Sequence, residues 1–116
     1  MRNFVLAAVA LSTLSFTAMG GPSQTSNSDA AKKIHTAMQT MNEQMSSASM
    51  TGNVDHDFVS MMIPHHQGAI DMAKAYLAAG TDPAIRKMAG QIVKDQEREI
   101  GRMQAWLKLH AASDAH

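Results

Sequence analysis

Two methionines are followed by two histidines, across a proline, in the segment 61–66. Met61 and His65 are four residues apart, as are Met62 and His66, so each pair lies on one face of a helix. Thioether sulfur suits soft ions such as Cu(I) and the similar Ag(I), and imidazole suits copper among several metals. Neighbouring helical residues point about 100° apart, so the two histidines need not bind the same ion. The segment therefore predicts a soft-metal site.

Methionine is abundant in the whole chain and cysteine is absent, with counts of 11 and 0 in 116 residues. A soft-metal site must then be built from methionine and histidine, with carboxylates in support. A methionine stripe at helical spacing is also typical of an ordinary core, and this second interpretation stays open. The further candidate ligands are His35, Met38, Met41 and, seven residues beyond His65, Met72.

The N-terminus has the three parts of a secretory signal peptide. Arg2 supplies a positive charge, residues 4–16 form an apolar run, and small residues at 18 and 20 fit a cleavage site. The run is shorter than the roughly 20 residues that cross a bilayer, so no membrane span is expected after cleavage. We predict a signal peptide at 1–20, a flexible N-terminus at 21–28, a helical His/Met-rich domain at 29–110 and a tail at 111–116.

The charge and motif content exclude several classes of function. The formal net charge is zero, and about −1 once the signal peptide is removed, so the basic footprint of a nucleic-acid-binding protein is missing. There is no cysteine nucleophile and no His-Glu-x-x-His motif, which argues against hydrolysis. No Glu-x-x-His pair occurs, so a ferritin-type di-iron site lacks its usual ligands. We therefore expect a protein that is not an enzyme.

Apolar periodicity predicts three helices, at about 29–47, 55–79 and 83–109. Short loops between them make neighbouring helices antiparallel, so the expected fold class is an all-α antiparallel bundle. Pro64 interrupts the second helix and either kinks it or begins a separate helix. The apolar stripes keep their phase across Pro64, which favours the kink.

In an antiparallel helix hairpin, residues at equal distances from the connecting loop lie level with each other. Applied to both loops, this pairing predicts that sulfur and polar side chains from all three helices meet in one layer. His65 lies at the middle of this layer. Gln96 and Glu99 occupy the otherwise apolar seam of the third helix, where polar groups need partners. We expect them to orient an imidazole rather than to bind a soft ion themselves. The predicted layer contains Met38, Met41, Met62, His65, Gln96 and Glu99.

The stretch from Asp57 to Leu107 resembles a known family. The segments that carry the resemblance are Asp57-Phe58, 61–67 and 69–73, followed by matching positions between Arg86 and Leu107. The family is the domain-of-unknown-function group, number three hundred and five, that includes CopM-like periplasmic copper-binding proteins. The resemblance implies a ferritin-like bundle, secretion to the periplasm, and a role in copper tolerance or handling. Implied candidate ligands for Cu(I), and for Ag(I), are Met61, Met62, His65, His66, Met72 and Met103.

This chain is shorter than the longer members of that family, so three helices leave a four-helix bundle incomplete. A homodimer could supply the helix that is missing from the bundle. The predicted function is a periplasmic Cu(I)-binding protein that buffers copper or exchanges it with a periplasmic donor or acceptor protein. The alternative is a structural or protein-interaction module with a methionine-rich core and no metal.

Overall fold

The computed structural model describes residues 23–111 and contains three α-helices. They are α1 (Ser23–Ser46), α2 (Val54–Ala79) and α3 (Pro83–His110), and no strand occurs in this part of the chain. The predicted all-α bundle is therefore confirmed. Helix α2 packs against both of its neighbours, whereas α1 and α3 make no contact with each other over residues 23–111. The predicted signal peptide at 1–20 lies outside the described residues, as does the predicted tail beyond Ala111.

Helix α1 begins earlier than the sequence pattern predicts. Residues 23–28, predicted to be flexible, are helical and belong to α1. The Ser28 hydroxyl donates to the Thr25 carbonyl at 2.9 Å, as a helical serine does. Ala30 and Ala37, seven residues apart, are the buried positions of α1, so this helix approaches α2 through small side chains.

The loop between α1 and α2 is fixed by side-chain caps. Gly52 has a φ of +85°, a conformation that glycine adopts without strain. The Asn53 side chain accepts hydrogen bonds from the backbone N–H groups of Asp55 and His56, which begins α2. The Asp57 carboxylate accepts from the Thr51 N–H at 2.8 Å, the Thr51 hydroxyl at 2.9 Å and the Gly52 N–H at 3.0 Å.

Pro64 lies inside α2, and the helix continues through it. The alternative in which a separate helix begins at Pro64 is therefore wrong. The end of α2 is fixed from α3: the Arg86 guanidinium donates to the Leu77 carbonyl at 2.8 Å and to the Gly80 carbonyl at 2.7 Å. Gly80 itself has an ordinary φ of −65°, but a Cβ there would lie 2.2 Å from the Tyr76 ring, so a larger residue would displace that ring.

The start of α3 follows the predicted pattern. The Asp82 carboxylate accepts from the Ile85 N–H at 2.9 Å and caps the helix, and Pro83 occupies the first helical position. Arg86 holds this first turn against the end of α2, which sets how far α3 runs along α2.

The core is small and built mostly from alanine. Ile70 is the one large side chain in residues 23–111 that is almost fully buried, at 1% exposed. The remaining buried apolar positions are Ala30, Ala37, Ala73, Ala75 and Ala89. A core of this kind lets helix backbones approach closely but removes little apolar surface from water.

Helix α1 approaches α2 closely at Gly68, where a Cβ would lie 2.7 Å from both the Cβ and the sulfur of Met41. The predicted register had placed Met41 beside Met62, one to two helical turns away along α2. This offset moves the α1 methionines away from the predicted layer.

Replacing Gly68 tests this packing. Gly68→Ala should lower the free energy of unfolding by about 1–3 kcal/mol, because the added methyl overlaps Met41 near its Cβ, where the side chain cannot swing away. Gly101→Ala is the matched control, since a Cβ at that helical glycine meets nothing within 4 Å. It should raise the free energy by up to about 1 kcal/mol through helix propensity. Urea unfolding measures both, and equal stabilisation by the two changes would contradict the packing.

Asp57 makes the fold sensitive to acid. The largest influence on its pKa is the hydrogen bond from the Thr51 backbone N–H, which holds the pKa below the usual 3.8. Partial desolvation raises the pKa, but hydrogen bonds from the Thr51 hydroxyl, the Gly52 N–H and His56 lower it further. A lowered folded-state pKa stabilises the fold above about pH 4, and this contribution is lost as the pH falls through the folded value. Asp57→Asn should therefore lower Tm at pH 7, with the difference from the parent shrinking below about pH 4.

Asp29→Asn is the control for that change, because Asp29 is an exposed residue of α1 whose contact with Lys32 spans 4.0 Å. Exposed pairs of this kind add little stability, so its Tm at pH 7 should match the parent. If Asp57→Asn behaves like Asp29→Asn in thermal scans across this pH range, the loop cap does not stabilise the fold as described.

Candidate metal centre

His66 is the one buried polar or charged residue described, at 7% exposed. It lies on the side of α2 that faces α3, and its Nε2 is 2.5 Å from the Glu99 Oε2. A carboxylate can only accept, so Nε2 carries the hydrogen and donates it. This bond fixes both the tautomer and the orientation of the imidazole. The Glu99 side chain is half-exposed and covers the histidine from α3.

The other ring nitrogen of His66 has no hydrogen-bond partner although it is buried. With Nε2 protonated, Nδ1 of a neutral imidazole presents a lone pair. A buried polar atom without a partner costs about 1–3 kcal/mol, so its presence calls for an explanation. An imidazole that donates one nitrogen to a carboxylate and keeps the other free is the arrangement of histidine ligands in metal sites.

A groove of about 310 Å³ between α2 and α3 opens beside His66. We call it the His66 pocket. Met62, one turn before His66 on the same helical face, and Met103, one turn after Glu99, both line it. Two thioethers thus share a pocket with one oriented imidazole. The full lining is Phe58, Met62, His66, Glu99, Arg102 and Met103.

The Glu99 carboxylate contacts an imidazole, and that imidazole belongs to His66. The predicted register had placed His65 level with Gln96, and Met62 level with Glu99. His65 is exposed, and its ring centroid lies 6.0 Å from that of His66 with the planes tilted by 59°. The prediction failed because α3 runs about four residues further along α2 than a turn centred on Gly80 implies, which places Glu99 opposite His66 instead of Met62. Gln96, one turn before Glu99, has a buried carbonyl oxygen without a partner.

The remaining predicted ligands do not join this pocket. His35 is exposed and Met38 is 41% exposed on α1, a helix that does not contact α3. Met41 packs at Gly68, and Met61 lies seven residues before Gly68 on that same face of α2. Met72 lines a separate apolar groove with Tyr76 and Met88. The single layer predicted across three helices is therefore divided between two sides of α2.

Arg102 and Phe58 line the pocket but were not among the predicted site residues. Arg102 stands three residues after Glu99, so the helical spacing was the available signal. No group of three or more His, Asp or Glu side chains that could hold a metal occurs between residues 23 and 111. The His66 pocket differs from such a group in combining one imidazole with two thioethers.

Together, these features define an all-α helical protein with a buried, carboxylate-oriented histidine between two antiparallel helices. The chain belongs to the family described as domain of unknown function DUF305, whose model matches residues 9–107. It is also 38% identical over 53 residues to an uncharacterized protein of Acanthamoeba polyphaga mimivirus. That match covers 46% of this chain and 35% of the viral protein, so the chain spans about a third of that relative's length.

The hydropathy of the helices determines whether any of them could span a membrane. Over the described residues, none of the three helices has a stretch apolar enough and long enough to span a bilayer.

Removing the Glu99 carboxylate tests the His66 interaction. Glu99→Ala should lower the free energy of unfolding by about 1 kcal/mol, because the buried His66 imidazole loses its hydrogen-bond acceptor. The loss is limited because Glu99 is half-exposed, so water can partly replace the carboxylate. Glu97→Ala is the matched control on the same helix. Its ion pair with Lys74 spans 3.5 Å between exposed side chains, so its loss should change the free energy by less than about 0.5 kcal/mol. Chemical denaturation compares the two, and equal effects would argue against a buried His66–Glu99 bond.

Proposed function

We propose that this protein binds Cu(I) in the His66 pocket and buffers the ion or passes it to another protein in the periplasm. The observation that carries the proposal is the buried, unpaired Nδ1 of His66, a residue that lines a pocket together with Met62 and Met103. One imidazole and two thioethers form a soft, uncharged donor set that suits Cu(I) and Ag(I). Copper is the cargo of this protein, and the proposal includes no catalytic step.

The polar neighbours of the pocket fit this role. Glu99 orients His66 and adds a negative charge near the bound cation, as carboxylates behind histidine ligands do. Arg102 on the rim offsets part of that charge. The open side of the pocket allows an ion to enter and leave, as exchange with a second protein requires. The periplasmic location rests on the predicted signal peptide and on the resemblance to CopM-like proteins.

Competition for Cu(I) against a chromogenic chelator tests the proposal. Met62→Leu combined with Met103→Leu conserves volume, so the fold should persist. The affinity of this double variant for Cu(I) should fall further than it does when a supporting carboxylate is removed, which lowers affinity roughly tenfold to hundredfold. Glu99→Gln should produce that smaller loss. His66→Ala should abolish tight binding, whereas His65→Ala, which removes the adjacent exposed histidine, should bind as the parent does. Parent protein that takes no Cu(I) from the chelator would refute the function.

The alternative is a protein-interaction module without metal. It is favoured by apolar side chains left exposed on α2 and α3, among them Phe58 and Met88. Thermal unfolding separates the two functions, because a ligand that binds the native state raises Tm and a protein without affinity for copper shows no shift. A Tm unchanged by Cu(I) and by Ag(I), in parent and His66→Ala alike, would favour the interaction module.

A further inference from the structure

One face of the α2–α3 pair leaves apolar side chains uncovered at both of its ends, with the half-exposed Glu99 and the exposed Arg102 between them. Phe58 is 62% exposed and Val54 is 78% exposed at one end, and Met88 and Ile85 are also exposed at the other. Exposed apolar groups that are rimmed by polar residues are typical of interaction sites. With Ile70 as the one large side chain almost fully buried, the described part of the chain lacks the core that a stable lone domain of this size needs.

The two ends of this face complement each other in shape. Phe58 projects eight residues before His66, about 12 Å along the helix axis. On the other side of His66, at about the same distance, an open apolar groove of about 270 Å³ lies between the helices. The groove is lined by Ala69, Met72, Ala73, Tyr76, Ile85, Met88, Ala89 and Ile92.

The charges at the two ends are also complementary. Asp55 lines a depression beside Phe58. Lys87 lines, with Asp95, a depression on α3 that shares Met88 and Ile92 with the apolar groove. Asp55 and Lys87 are each about 17 Å along the helix axes from the level of the His66–Glu99 bond. Neither side chain forms an ion pair within residues 23–111. The net charge is zero for the whole chain and about −1 without the predicted signal peptide, so two copies repel each other only weakly.

We propose that this face binds a second copy of the chain, antiparallel, about a two-fold axis that passes beside His66 and Glu99. A two-fold interface is self-complementary, so each contact is made twice. Phe58 of each copy enters the apolar groove of the other, and Asp55 of each copy lies opposite Lys87 of the other. A parallel arrangement would instead place Lys87 against Lys87 and Asp55 against Asp55. The dimer needs no copper, so the test of dimerisation is independent of the test of Cu(I) binding.

Light scattering and sedimentation equilibrium from about 1 to 100 μM, with a copper chelator present, test the proposal. The parent should reach twice the chain mass in a concentration-dependent way. Phe58→Glu should weaken dimerisation at least about tenfold, because an aromatic anchor is lost in both halves of the interface. Met50→Glu is the control: Met50 is as exposed as Phe58, at 61%, but lies in the α1–α2 loop. A parent that stays monomeric, or a dimer that Phe58→Glu does not weaken, overturns the proposal.

Charge exchange tests the antiparallel orientation independently of any effect of Phe58→Glu on folding. Lys87→Glu and Asp55→Lys should each weaken the dimer severalfold, because each places like charges opposite one another. The double variant restores opposite charges at both contacts and should recover parental dimerisation. Circular dichroism confirms that each variant keeps its helices. Single variants without effect, or a double variant no better than either single one, would overturn the antiparallel arrangement.

Discussion

The two hydrogen bonds from Arg86 to the Leu77 and Gly80 carbonyls fix the position of α3 along α2. They satisfy carbonyls that a helix end leaves without partners, and they do so from the first turn of the next helix. Since an α-helix advances 1.5 Å per residue, a register fixed at this end extends along the whole pair. Some 20 Å away it brings Glu99 to His66 rather than to Met62. The identity of the histidine in the candidate metal centre thus depends on an arginine that does not touch it.

The alanine core has opposing effects on stability and on the site. Small residues at 73, 75 and 89 allow the helices to approach, but they leave grooves between the larger side chains. Methionine fills such irregular space adaptably, and its sulfur stays accessible there. The same sparse packing that exposes thioethers for a soft ion also leaves Phe58 and Met88 in contact with water. The pocket and the uncovered apolar face therefore have a common structural origin.

The sequence predicted the helices well because their signals are local. The Asp82-Pro83 start of α3 and the end of α2 before Gly80 follow from capping chemistry within a few residues. The early start of α1 was missed because its first turns are polar on every side and carry no periodic signal. That an imidazole would meet Glu99 was also predictable, since a carboxylate on an apolar seam needs a partner.

Which imidazole meets Glu99 was not predictable from the sequence, because the answer depends on the register of two helices. A turn of three residues is compatible with several registers, and the choice among them rests on the Arg86 bonds, which no periodicity reveals. The position of Met41 at Gly68 is similar: it reflects a backbone approach that only the absent Cβ of glycine permits. Long-range offsets of one to two helical turns were thus enough to bring His66 rather than Met62 to Glu99 and to separate the α1 methionines from the pocket.

Because α1 and α3 meet only through α2, the molecule can lose one helix contact at a time. Detachment of α1 would expose the Gly68 side of α2, while the Arg86 and Glu99 bonds on the opposite side remain formed. Structures of this kind unfold in subglobal steps, in which one element opens at a lower free energy than the whole. Amide hydrogens of α1 would then exchange with solvent sooner than those of α2 and α3. Helix α1 would then be the peripheral cooperative unit, and the α2–α3 hairpin the persistent one.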